Sequence, residues 1–103
     1  MDAEIAKAIS SIYEEDEDVV GVVVVDSSGL CLATDGGIPE EAAGVIASIA
    51  AHSEPLLPAH PTQSADVSPV VQIEAESLTI TIRKTPVITL GIFKNKSKNA
   101  SDK

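Results

Sequence analysis

The segment Val19-Val20-Gly21-Val22-Val23-Val24-Val25 constrains this chain more than any other. β-Branched side chains are stiff at χ1 and fit a pleated, packed surface better than a helix. Alternation of apolar and polar residues would mark a strand with one wet face. A nearly continuous run marks a strand covered on both faces. The chain has to be organised around this strand.

The flanking segments supply the covers. Ile5, Ile9, Ile12 and Tyr13 fall on one face of a 3.6-residue period, so residues 2–15 are predicted as a helix with Asp2 as N-cap. The acidic run Glu14 to Asp18 is poor chemistry for a helix C-terminus, and the helix is expected to end there in a solvated loop. Asp26-Ser27-Ser28-Gly29 is a turn, and Leu30 to Thr34 returns as a second strand with Leu30 and Leu32 on one face. After Asp35-Gly36-Gly37, Pro39-Glu40-Glu41 opens a second helix that runs to about Ser53, before Pro55. Its expected apolar stripe is Ala42, Val45, Ile46 and Ile49.

Residues 54–68 carry three prolines and no periodicity, so they read as a loop. Pro69 to Ala75 is predicted as a third strand. Leu78 to Arg83 alternates strictly and gives a fourth strand with one buried and one wet face. Val87 to Phe93 is the fifth, and residues 95–103 form a polar tail expected to be disordered. The order is helix, two strands, helix, three strands. A five-stranded antiparallel sheet carrying both helices, an α+β fold over residues 1–94, satisfies it.

Composition narrows the function. The net charge of −9 repels phosphate backbones, which excludes nucleic acid as a partner. Lys94, Lys96, Lys98 and Lys103 form one basic cluster near the end. A single cysteine, Cys31, allows no internal disulfide. The N-terminus lacks a secretory signal, no apolar run approaches the ~20 residues of a membrane helix, and Asp2 stands where myristoylation requires glycine. The expectation is a cytoplasmic protein held on membranes, if at all, by something else.

Catalytic chemistry is not expected. Asp26, Ser27 and Ser28 with His52 and His60 lack the surroundings of a nucleophile elbow. Cys31 has no basic neighbour in sequence to activate it. The two histidines match no metal-binding spacing, and Gly36-Gly37 lacks the lysine and hydroxyl of a phosphate loop. Asn95-Lys96-Ser97 and Asn99-Ala100-Ser101 match a glycosylation sequon that matters only in a secreted protein. No cofactor, metal or catalytic residue is assigned.

Two features point outward instead. Gly44, Ala47, Ser48 and Ala51 make a row of small residues on the second helix, which either faces the chain's own sheet or solvent or lets another backbone approach; alanine is also simply a good helix former. Val70, Val71, Gln72 and Ile73 lie on a strand that follows a loop rather than a hairpin. Such an edge, with no charge until Glu74, is an aggregation hazard unless it is paired.

The order Val20-Gly21-Val22, Asp26-Ser27, Gly29-Leu30 and Glu41-Ala42-Ala43-Gly44-Val45-Ile46, with a three-strand finish, resembles the roadblock family over residues 4–94. Within it, the chain looks most like the short Ragulator subunit, which ends after the fifth strand without the final helix of longer roadblock proteins. The resemblance implies a non-catalytic scaffold that pairs with another roadblock-type subunit through the third strand and second helix. It also implies a lipidated scaffold subunit holding the assembly on lysosomes and late endosomes. That assembly would recruit Rag-type small GTPases and support nutrient signalling to the target-of-rapamycin kinase complex. A homodimeric roadblock regulator of a small GTPase is the alternative. A dynein-type motor adaptor is another, which the missing final helix disfavours.

Overall fold

The computed structural model describes residues 3–57 and 69–96. Helix α1 (Ala3–Glu15) precedes strands β1 (Val19–Asp26) and β2 (Cys31–Asp35). Helix α2 (Glu41–Ser53) follows, and strands β3 (Val71–Glu74), β4 (Leu78–Lys84) and β5 (Ile88–Asn95) complete the fold. The strands form one five-stranded sheet in the order β2-β1-β5-β4-β3, antiparallel at every pairing.

The valine strand is covered on both faces, as its composition predicts. Val23 and Val25 face α2, in a cluster with Ala43, Ile46, Ala50, Ile82 and Phe93. Val22 and Val24 face α1, with Ile9, Val19 and Ala33. The two helices therefore lie on opposite faces of the sheet. Val22, Val23 and Val25 are fully buried, and each stabilises the fold by roughly 1.5–3 kcal/mol. On α1, Ile5, Ile9, Ile12 and Tyr13 all meet the sheet, so its predicted stripe is the one used. The helix ends at Glu15, at the start of the acidic run.

The β1–β2 turn is built by Asp26. Its carboxylate accepts the Ser28 N–H at 2.9 Å, the Ser28 hydroxyl at 2.7 Å and the Leu30 N–H at 2.9 Å. These donors, the Ser28 hydroxyl foremost, hold its pKa below the usual carboxylate value. The second strand starts one residue later than predicted, at Cys31, and the pairing shifts between Val24 and Val25, so Cys31 and Ala33 flank an extra residue, Leu32. The predicted face of Leu30 and Leu32 is therefore not a strand face: Leu30 ends the turn, Leu32 sits at the bulge, and both are exposed.

Of the stripe predicted for α2, Ala42, Ile46 and Ile49 meet the sheet-side core and Val45 does not. Ala43, Ile46 and Ala50 point at the sheet, while Val45 is 60% exposed. The cause is Gly91 on β5. A methyl group there would lie 2.6 Å from Ile46 Cδ1, so the missing side chain is the socket into which Ile46 fits. Once Ile46 is seated, small residues on either side let the helix approach, and Val45 turns outward. A single 3-10 turn, Glu54–Leu56, follows. It is tied to the end of β4 by Lys84 Nζ and Glu54 Oε2 at 2.6 Å.

The third strand is shorter than predicted, four residues from Val71. The fifth is longer, Ile88–Asn95, so Lys94 and Asn95, the first residue of the predicted tail, both belong to the sheet. Lys94 lies 2.5 Å from Asp16 and Lys96 lies 3.6 Å from Glu74. Two of the four lysines read as one basic cluster are thus paired with acids, and the acidic run is partly anchored rather than wholly solvated. Asp2, the prolines of 58–68, His60 and residues 97–103 lie outside the described residues.

Candidate functional site

The sheet has two edges, and they differ. The β2 edge carries the bulge at Leu32 and ends on Asp35. Bulges and charges are devices that spoil further pairing. The β3 edge has neither device until Glu74. It pairs with β4 in regular register over all four residues, Val71 with Ile82 through Glu74 with Thr79. The other side of β3 has no strand among the described residues. Val71 and Ile73 are half-buried against the α2-side core, Gln72 is exposed, and Val70, ahead of the strand, is 53% exposed.

Helix α2 packs on the same face of the sheet as Val71 and Ile73. Of the predicted small-residue row, Gly44, Ser48 and Ala51 face outward, and Ala47 is half-buried at the margin of the core. Val45 joins them on the outer face, and Leu56, 80% exposed, follows at the helix end. The exposed face of α2 therefore carries mainly small side chains, with the polar Ser48 and His52 among its residues, and the unprotected edge lies on the same side of the sheet.

Gly44 is the telling residue. The chain has six glycines. Gly29, Gly36 and Gly37 occupy left-handed turn positions. Gly21 and Gly91 lie beneath isoleucine side chains that a methyl group would strike. Gly44 has neither reason: it is helical and exposed, and a Cβ there would meet nothing within 4 Å. A glycine in a helix interior costs about 1 kcal/mol relative to alanine. No contact among the described residues offsets that cost.

The sequence profile of Ragulator complex protein LAMTOR5 matches residues 1–94. A Ragulator complex protein LAMTOR5 homolog from Ixodes scapularis is 30% identical over 98 residues, covering 95% of this chain and all of that protein. The chain belongs to the LAMTOR5 family of Ragulator complex proteins. That is a family of complex subunits and not a known enzyme family.

Among the described residues, those considered for chemistry take part in turn, helix and core contacts. Asp26 and Ser28 bond each other in the β1–β2 turn. His52 Nδ1 lies 2.8 Å from the Ser48 carbonyl oxygen, one turn earlier on the exposed face of α2. Cys31 is half-buried and packs against the α2-side core. Gly36 turns the chain beneath the Val20 carbonyl, which any side chain would strike. No helix among the described residues is long and apolar enough to cross a membrane.

One surface was not legible in the sequence. Because α1 lies over β1, the opposite end of that face is open. Two adjoining shallow cavities of about 390 and 410 Å³ run along it, sharing Thr81 and Lys94. One is polar, lined by Gln72, Glu74 and Thr79; the other is more apolar, with Ile12, Leu90 and Ile92 beside Arg83. Alternation in β4 announced the wet face, but only the position of α1 makes it a trough.

Proposed function

We propose that this chain is a non-catalytic scaffold subunit that pairs with another roadblock-type subunit through the β3 edge and the outer face of α2. Gly44 carries the proposal: a costly, exposed glycine with no intramolecular reason is explained if a second backbone packs on it. Edge-to-edge pairing continues the sheet across two chains, its main-chain hydrogen bonds giving affinity, while Val45, Ser48, Ala51 and Val70 select the partner. For subunits this small the buried area is on the order of 2,000 Å² or less.

In this reading the open trough beside α1 receives the lipidated scaffold subunit that holds the assembly on lysosomes and late endosomes. The complete assembly recruits Rag-type GTPases and supports nutrient signalling to the target-of-rapamycin kinase complex. The subunit gives that assembly a rigid sheet and a partner-selective face.

The test is affinity purification of the tagged chain from its own cells under gentle conditions, with mass spectrometry of what accompanies it. Co-recovery of a second roadblock protein, a lipidated scaffold and Rag-type GTPases is expected from the native chain. Gly44→Leu, whose Cβ would meet nothing within 4 Å among the described residues, should lose the roadblock partner first. Recovery of a homodimer with a small GTPase alone, or of dynein chains, would overturn the proposal.

A further inference from the structure

The β4–β5 turn carries chemistry that the pairing surface does not use. Its tip, Thr85-Pro86-Val87, is exposed throughout. The Thr85 N–H donates to the Ile88 carbonyl at 2.8 Å. The Thr85 hydroxyl oxygen accepts the Ile88 N–H at 3.1 Å and the Val87 N–H at 3.3 Å, and the hydroxyl donates to the Ile88 carbonyl at 3.2 Å. Two backbone donors therefore converge on one exposed oxygen.

The surrounding residues are suited to a phosphate. Arg83, near the end of β4, precedes Thr85 by two residues. Arg83 is exposed and forms no ion pair among the described residues, whereas Lys84, Lys94 and Lys96 each face a carboxylate. Pro86 offers no N–H to a kinase pocket, so an enzyme acting here has to accept proline after the target residue. Thr85-Pro86 and Ser68-Pro69 are the two Ser/Thr-Pro pairs of the chain, and Ser68 lies outside the described residues.

We propose that Thr85 is a phosphorylation site for a proline-directed protein kinase and that Arg83, with the Val87 and Ile88 N–H groups, holds the phosphate. The Thr85 oxygen attacks the γ-phosphorus of ATP. The bond from that phosphorus to the β–γ bridging oxygen breaks, ADP leaves, and the hydroxyl proton passes to the base of the kinase. The turn loses one bond, the 3.2 Å donation to the Ile88 carbonyl, which keeps the Thr85 N–H at 2.8 Å. The phosphate oxygens remain acceptors for the two N–H groups and add a charge-assisted pair to the guanidinium. Arg83 lines the more apolar cavity of the trough, so phosphorylation neutralises a cation of that face that no carboxylate holds. The site does not depend on the pairing surface.

The full chain would be incubated with ATP and a proline-directed Ser/Thr kinase, and the phosphate located by mass spectrometry. Incorporation at Thr85 is expected, retained in Ser68→Ala and Thr85→Ser, absent from Thr85→Ala, and reduced at least tenfold in Pro86→Ala. Titration of the phosphorus resonance should show Arg83→Gln raising the second ionisation of the phosphate. Incorporation confined to Ser68, or none in the folded chain while a peptide of residues 79–91 is phosphorylated, would overturn the site. An unchanged titration in Arg83→Gln would overturn the role given to that arginine.

Discussion

Replacing Gly44 by alanine should make the free chain more stable and the assembled chain weaker. The first effect follows from helix propensity. Gly44 lies inside α2, and an added methyl meets nothing within 4 Å, so no clash opposes the gain. Alanine should therefore add about 0.8–1 kcal/mol. For a domain of this size that raises the melting temperature by roughly 4–8 °C per kcal/mol. Thermal unfolding followed by circular dichroism, repeated over a concentration series, measures it. The second effect depends on the partner. A methyl forced into a close helix contact costs about 1–3 kcal/mol, and Gly44→Leu costs more, so affinity should fall by tenfold or beyond. Opposite signs in the two assays are the signature of an interface glycine. If alanine destabilises the free chain, Gly44 does not lie in open space. If Gly44→Leu pairs as tightly as the native chain, the outer face of α2 is not the contact.

Other perturbations separate the internal supports. Ile46→Ala empties the socket over Gly91 and should cost about 2–5 kcal/mol in denaturant titrations, enough to unfold much of the chain. Gly36→Ala combines a left-handed φ of +78° with a methyl driven into the Val20 carbonyl; a loss of at least about 2 kcal/mol is expected from chemical unfolding. Lys84→Ala should change stability by less than about 1 kcal/mol, and the difference should shrink in high salt, because the pair with Glu54 is partly exposed. Asp26 has a folded pKa below its unfolded value of about 3.9. Its contribution is then present above ~pH 4 and lost as pH falls through the lower folded value. The stability difference between the native chain and Asp26→Asn should accordingly narrow as pH falls below ~4, and a gap that does not narrow on acidification would refute the assignment.

The parts of this fold that read directly from sequence are those fixed by local periodicity. The valine strand, the stripe of α1 and the alternation of β4 each declare which side they bury, and Asp26 declares its turn. The orientation of α2 read out in part: Ala42, Ile46 and Ile49 of the predicted stripe meet the core and Val45 does not, because Ala42, Ala43, Val45 and Ile46 are all apolar and several rotations bury a reasonable stripe. Gly91 decides among them, and it sits on the last strand, far away in sequence. The ends of β5 were missed for a similar reason. Lys94 looks like tail chemistry until Asp16, at the other end of the chain, is found beside it. The edge character of β3 was legible because a long connection precedes it. The trough was not, since it depends on how far α1 extends across the sheet.

Helix α2 carries small residues on both sides, Ala43 and Ala50 toward the sheet and Gly44, Ser48 and Ala51 away from it. A helix with so little side chain gains modestly from either surface alone. Ile46 is the one large residue it buries fully, Ile49 is half-buried against the core, and Val45 is left in solvent. Most helical stability in proteins comes from packing an apolar face and not from propensity. The inner face of α2 is used in part, and the outer face is available to a second chain. A partner binding the folded state alone adds RT ln(1 + [L]/Kd), about 2.7 kcal/mol at a hundredfold excess over Kd. Against the 5–15 kcal/mol that holds a typical domain together, that is a large share. With one phenylalanine and one tyrosine in the entire chain, a partner of the kind proposed would add stability that a larger core would otherwise supply, and folding and partner choice would then be parts of one equilibrium.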